Sequence, residues 1–190
     1  WVLGNHDVSA LTKAQFLAAC GAEHPAWYSF DVRGVHFVVL DGNCHRDGTD
    51  FGPDGFDWAD AWVAPEQLAW LAVDLADAKD RPSVVLCHEN LDHRLWQESL
   101  DPHVARNAAQ VRQAFAASGR VTAVVQAHYH PGIAATVDGT AYVGLRAMVV
   151  GPGLANNAFA IVTVAADGGL TVAGYGQQDG WRVGAATATP

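Results

Sequence analysis

Val35-His36-Phe37-Val38-Val39-Leu40 is apolar at every position but His36. A run this short and this uniformly apolar reads as a strand covered on both faces, the signature of a sheet sandwiched between other layers. Upstream, Trp27–Val32 forms a second strand-like run, and Arg33-Gly34 between the two predicts a hairpin. Downstream, Ser83–Cys87 and Arg120–Ala127 repeat the buried-strand pattern. Between them lie two helical patterns. One starts at Pro65 and places Leu68, Leu71 and Leu75 on one face; the other spaces Val104, Ala108, Val111 and Phe115 and stops at Gly119. Near the start, Thr12-Lys13-Ala14-Gln15 matches a capping box and predicts a helix from Lys13 to Cys20, with Trp1–Leu3 before it as a strand end.

After Ala127 the helical period disappears. Thr140–Met148, Ala158–Ala165 and Leu170–Gly174 read as strands, and Asp167-Gly168-Gly169 joins the last two. Strands alternating with helices, followed by strands alone, predict an α/β fold: a sandwich of two mixed β-sheets flanked by helices. Residues 1–176 are expected to belong to one domain, and the Gly/Ala/Thr-rich tail, 177–190, to fray. Residues 42–64 form a long Gly- and Asp-rich segment carrying Phe51, Phe56, Trp58 and Trp62, which favours an ordered, functional loop. Its tryptophans either anchor the loop on the core or stack a nucleobase.

Composition narrows the function classes. The 190 residues are half hydrophobic, with a net charge of −9. Broad electrostatic capture of nucleic acid or of an anionic membrane needs clustered Lys and Arg, so neither partner is expected. No apolar run approaches the length of a membrane span. Cys20, Cys44 and Cys87 lie far apart without CxxC spacing, which excludes a disulfide framework and a zinc ribbon; Cys20 and Cys87 read as small buried hydrophobes.

Three short clusters each follow a predicted strand: Gly4-Asn5-His6-Asp7, Cys87-His88-Glu89-Asn90 and Ala127-His128-Tyr129-His130-Pro131-Gly132. Ligands of open α/β sheets bind beyond the carboxyl ends of the strands, so the clusters fall where a site would be built. His128 and His130, two apart in a turn, can face one cavity. Asn5 adds a hard carbonyl oxygen and His88 a third imidazole. Such an oxygen and nitrogen set suits Mn, Fe, Zn or a similar divalent ion. Asp7 either orients His6 or caps the following helix. Each cluster alone is weak, since Gly-Asn is a common turn dipeptide and strand-end histidines are often structural; the ordered set carries the reading. Tyr129 is a candidate substrate contact. His93 and His103 have no placed partner and are read as surface residues. Arg46, Arg94 and Arg146 could meet phosphate.

On these residues the sequence resembles the calcineurin-like metallophosphoesterases, whose pattern is DxH, GDxxD, GNH[DE], a strand-terminal His and GHxH. Gly4-Asn5-His6-Asp7, His88 and His128-Tyr129-His130 match the last three, with Ala127 in place of the usual Gly. Tyr28-Ser29-Phe30, Val39-Leu40-Asp41, Gln67–Leu71, Asn107 and Asn157-Ala158-Phe159 look most like the manganese-dependent ADP-ribose/CDP-alcohol diphosphatase branch. The resemblance implies metal-dependent hydrolysis of a phosphoester or nucleoside-diphosphate-type pyrophosphate, by water activated between two divalent metal ions. It implies Asn5, His88, His128 and His130 as metal ligands, His6 as proton donor to the leaving oxygen and Asp7 as its partner. The substrate would be a phosphoester or nucleotide-type small molecule.

DxH and GDxxD are expected upstream of Trp1, so that the fold lacks its first βα units. This chain alone would then bind at most one ion, weakly, and would be inactive. The alternative expectation is a non-catalytic remnant acting as a binding or structural module.

Overall fold

The computed structural model describes residues 1–148 and 150–183. Two short helices, α1 (Asn5–Val8) and α2 (Lys13–Ala19), precede the first strand. The capping box expected at Thr12 forms, with the Thr12 hydroxyl accepting from Gln15 N–H. Trp1–Leu3 is not a strand: it is irregular chain, held by the Asn43 side-chain amide donating to the Leu3 carbonyl.

β1 (Tyr28–Val32) and β2 (Val35–Leu40) pair antiparallel, Val32 opposite Val35. The turn between them uses Arg33 at φ 50° and Gly34 at φ 83°, the left-handed pair that matches the twist of a tight hairpin. A 3₁₀ turn (Trp58–Asp60) sits within the long loop. α3 (Pro65–Asp77) then crosses to β3 (Ser83–Cys87), and a small hairpin of β4 (Leu95–Trp96) and β5 (Ser99–Leu100) follows. α4 (Ala108–Ser118) leads to β6 (Val121–Gln126), with Gly119 left-handed at its end. β7 (Ile133–Val137), β8 (Thr140–Gly144), β9 (Ala158–Val164), β10 (Leu170–Gly176) and β11 (Trp181–Val183) complete the chain.

The main sheet runs β1-β2-β3-β6-β8-β7, with β2, β3, β6 and β8 parallel and both edges antiparallel. The two-residue period of its central strands separates two cores. Val38, Leu40, Val85, Cys87, Val124 and Tyr142 face Leu71 and Leu75 of α3 and Val111 and Phe115 of α4. Val35, Val84, Ala123 and Ala141 face the other way, onto Leu170 and its neighbours in the second sheet. That sheet, β11-β10-β9, is antiparallel throughout, as hairpin-length connections require. The α/β sandwich expected from the alternation is the fold observed, except that the second sheet is antiparallel rather than mixed.

Several boundaries differ. Val104 lies before α4, in a bridge with Asn90, because the chain from Asp101 to Asn107 is tied to loops rather than wound. β7 is a further strand beyond those the sequence pattern predicts, and β8 stops at Gly144 rather than Met148. β11 pairs with β10, so order continues past Gly176 to Val183 where composition predicts fraying; the expected tail at 184–190 lies outside the described residues. Cys20 is only half-buried, whereas Cys44 and Cys87 are buried.

Candidate metal and phosphate site

Because β2, β3 and β6 are parallel, their carboxyl ends emerge at one edge of the sheet. His88 leaves β3 there and His128 leaves β6, and the Ala127 N–H donates to the His88 carbonyl at 3.0 Å, tying the two turns together. Gln126 reinforces the tie. Its side-chain oxygen accepts from Leu91 N–H and its amide donates to the Asp92 carboxylate. His128 adopts a left-handed φ of 57°, an uncommon conformation for a residue with a Cβ and one that clusters at functional sites.

The structure brings the predicted residues together unevenly. His88 Nε2–H donates to Asn5 Oδ1 at 2.8 Å. The His88 and His128 rings lie 5.1 Å apart, centroid to centroid. Gly4 makes this approach possible: a Cβ there would stand 2.9 Å from His88 Nδ1. Asn5, His6, His128, Tyr129 and His130 line one cavity of about 400 Å³. His88, His128 and His130 border a second, of about 380 Å³, together with Arg146. His6 and His130 are exposed, Asn5 and His128 buried.

Burial, with smaller contributions from His6 and His130, pushes His88 down to about 4. Burial, then the His88 and His103 rings, pushes His128 down to about 3. Both imidazoles are therefore neutral near pH 7, the form that binds metals. His128 Nε2 is buried without a hydrogen-bond partner among the described residues. An amide oxygen and two neutral imidazoles, one of them with an orphaned buried ring nitrogen, are donors that suit a divalent cation. Among the described residues, however, no three His, Cys, Asp or Glu side chains are grouped so as to hold one.

Asp7 does not orient His6. Its carboxylate accepts from the Gly4 N–H at 2.9 Å and closes the first turn of α1, the capping alternative. Asn43, Asn90 and Asp92, polar loop residues of the kind usually solvated, are buried. Of the arginines, Arg46 lies over the Trp62 ring, and Arg94 lies over Tyr129 at 3.9 Å while donating to Asp101. The aromatic loop divides its roles: Phe51 is core, and Phe56 and Trp58 line the first cavity.

His103 is the residue that sequence reasoning missed. Its ring lies 5.0 Å from His128 and lines the same cavity, rather than standing on the surface. A signal was present, since Asp101-Pro102-His103 spells the D-x-H that the family pattern calls for, outside its expected order. In the fold the pair bonds internally, Asp101 Oδ1 to His103 Nδ1 at 2.7 Å.

No protein-family model matches the chain, and no curated protein matches it. Among solved structures, a dimetal phosphatase from Danio rerio is similar at a TM-score of 0.77 and 16% identity, over 98% of this chain and 71% of its own. The chain shares the fold of that phosphatase. A candidate 5′-nucleotidase from Staphylococcus aureus, in complex with alpha-ketoglutarate, matches 83% of this chain and 29% of its own at 13% identity and a TM-score of 0.43, too low to carry weight. No helix among the described residues is long and apolar enough to cross a membrane.

Proposed function

We propose that this chain carries the asparagine- and histidine-bearing part of a metal-dependent phosphoesterase site, acting on small phosphoesters or nucleotide-type pyrophosphates. The observation that supports it most directly is the meeting of Asn5, His88 and His128 at the carboxyl edge of the sheet. It is joined by the likeness of the whole chain to a dimetal phosphatase. The finer reading, a manganese-dependent ADP-ribose/CDP-alcohol diphosphatase, rests on the sequence resemblance.

In this reading Asn5 Oδ1, His88 Nε2 and His128 Nε2 would hold one divalent cation, and His130, which lines both cavities, would serve a second. Bound there, such ions supply Lewis acidity for transfer of a phosphoryl group to water. His6, exposed in the cavity wall, donates a proton to the departing oxygen. Asp7 acts on His6 through the backbone alone, by fixing the turn of α1. Tyr129 stands in the same wall as a substrate contact.

Isothermal titration with Mn²⁺ tests the reading. Saturable binding of one ion per chain, lost in His88→Ala and His128→Ala, supports it. In the enzyme carrying this chain, His6→Ala should cut turnover of bis-p-nitrophenyl phosphate with Mn²⁺ content unchanged. A second reading, a binding or structural module, draws on the lack of any three grouped His, Cys, Asp or Glu ligands among the described residues. Failure to bind Mn²⁺, Fe²⁺ or Zn²⁺ would select it.

A further inference from the structure

The carboxylate–imidazole pair that the sequence places at Asp7 and His6 exists elsewhere, with its imidazole in the wall of the same cavity. Asp7 is turned to the Gly4 N–H, whereas Asp101 bonds His103 directly. Asp101 Oδ1 accepts from the His103 backbone N–H at 2.9 Å and meets Nδ1 at 2.7 Å, while Oδ2 accepts from Arg94 Nε at 2.9 Å. Both oxygens are thus committed, and the charge of the buried carboxylate is matched by Arg94. Asp101 also turns the His103 ring: with Nδ1 fixed, only Nε2 remains to serve a ligand. His103 Nε2 makes no hydrogen bond among the described residues, and the ring lines the cavity that holds Asn5, His6 and His128.

The backbone around His103 is anchored too. Its carbonyl accepts from Asn90 N–H, and Ala105 N–H donates to the Asn90 carbonyl, so the loop is stitched to the turn that follows His88. A ring held at one nitrogen, on an anchored backbone, presents Nε2 to the cavity in a fixed direction and is preorganised for one polar atom of a ligand.

We propose that His103 contacts the substrate of this site at Nε2, accepting from a phosphoryl O–H when the ring is neutral and donating to a phosphoryl oxygen when the ring carries both protons, with Asp101 as the positioning residue that Arg94 holds in place. The proposal rests on the phosphoesterase reading and adds a residue to it. No bond is made or broken by His103 in this role.

Histidine-selective ¹⁵N NMR on the chain tests it, with the His103 signals assigned by their loss in His103→Gln. Inorganic phosphate, titrated without metal, should shift His103 Nε2 saturably. Asp101→Ala, which removes the acceptor and frees the ring to turn, should weaken that binding about tenfold, the scale of one charge-assisted hydrogen bond, and Asp101→Asn, which keeps an acceptor oxygen, should retain part of it. Mn²⁺ added separately should broaden His88 and His128. If phosphate leaves His103 unmoved, or shifts it equally in a folded Asp101→Ala variant, this proposal alone is overturned. If Mn²⁺ leaves His88 and His128 sharp, the phosphoesterase reading falls and this proposal falls with it.

Discussion

His88 Nε2 and Asn5 Oδ1 stand 2.8 Å apart, joining a strand end to a helix turn 83 residues away in sequence. In the hydrogen-bonded form the ring proton occupies the space between two atoms that both suit a hard cation. To hold a metal through Nε2, the neutral ring would carry its proton on Nδ1 instead. Asn5→Ala should therefore abolish the Mn²⁺-induced rise in Tm, while Asn5→Asp, which keeps an oxygen, should preserve or enlarge it. Thermal scans with and without Mn²⁺ decide this; an Asn5→Ala chain that Mn²⁺ still stabilises would remove Asn5 from the site.

Gly4 gives a sharper steric test. Its φ of −111° is open to any residue, so Gly4→Ala carries no backbone strain. The added Cβ would meet His88 Nδ1 at 2.9 Å and Cε1 at 3.0 Å, and the ring must move. We expect Mn²⁺ affinity to fall about tenfold or more, with Tm lowered by only a few degrees. Unchanged affinity would show that the observed position of His88 is not the binding one.

His36 links β1, β2 and α3, with Nδ1 on Asp31 at 2.9 Å and Nε2 on Asp74 at 3.0 Å. The hydrogen bond to Asp74 raises its pKa, burial opposes, and Asp31 adds to the rise. A raised histidine contributes stability fully below its unfolded pKa of about 6.5 and loses it as pH climbs through the folded value. Urea midpoints should fall from pH 6 to pH 8.5. His36→Gln should flatten that slope and cost about 1–2 kcal/mol at pH 6, discounted because Asp31 is half exposed. An unaltered slope would sink the assignment.

Glu89 works in the same direction for a different reason. Burial, then the neighbouring Asp41, pushes its carboxyl up to about 8, and Oε1 has no partner among the described residues. The folded chain keeps the proton where the unfolded chain has lost it. Stability therefore drains between about pH 4.5 and pH 8. Glu89→Gln removes the titration, so Tm should rise at pH 8, by about 3 °C per kcal/mol recovered, and change little at pH 4.5. Equal effects at both pH values would contradict a protonated Glu89.

Strand and helix periods were legible because burial on two faces imposes them locally. Val38 and Val85 point to one core and Val35 and Val84 to the other by alternation alone. The order of Gly4-Asn5-His6-Asp7, His88 and His128-Tyr129-His130 was legible for a similar reason: each sits where a strand or turn ends, and such ends carry the punctuation that sequence shows. Asp7 was ambiguous because a carboxylate beside a histidine and one that caps a helix have the same spelling. The loop from His88 to Asn107 was hardly legible, since it has no period. Its path is set by backbone bonds between Asn90 and residues 103–105, and by Asn107, whose side chain bonds Val63 N–H and C=O.

By itself, then, the sequence determined the central strands β2, β3 and β6, the helices between them, and that His88 and His128 arrive at strand ends, because those follow from hydrophobic period and turn chemistry within a few residues. Only the tertiary structure decided that His88 reaches Asn5, that Asp7 turns away from His6, and that His103 enters the cavity on the arm of Asp101. These depend on contacts between distant loops, and no local pattern encodes where a loop without period will be stitched down.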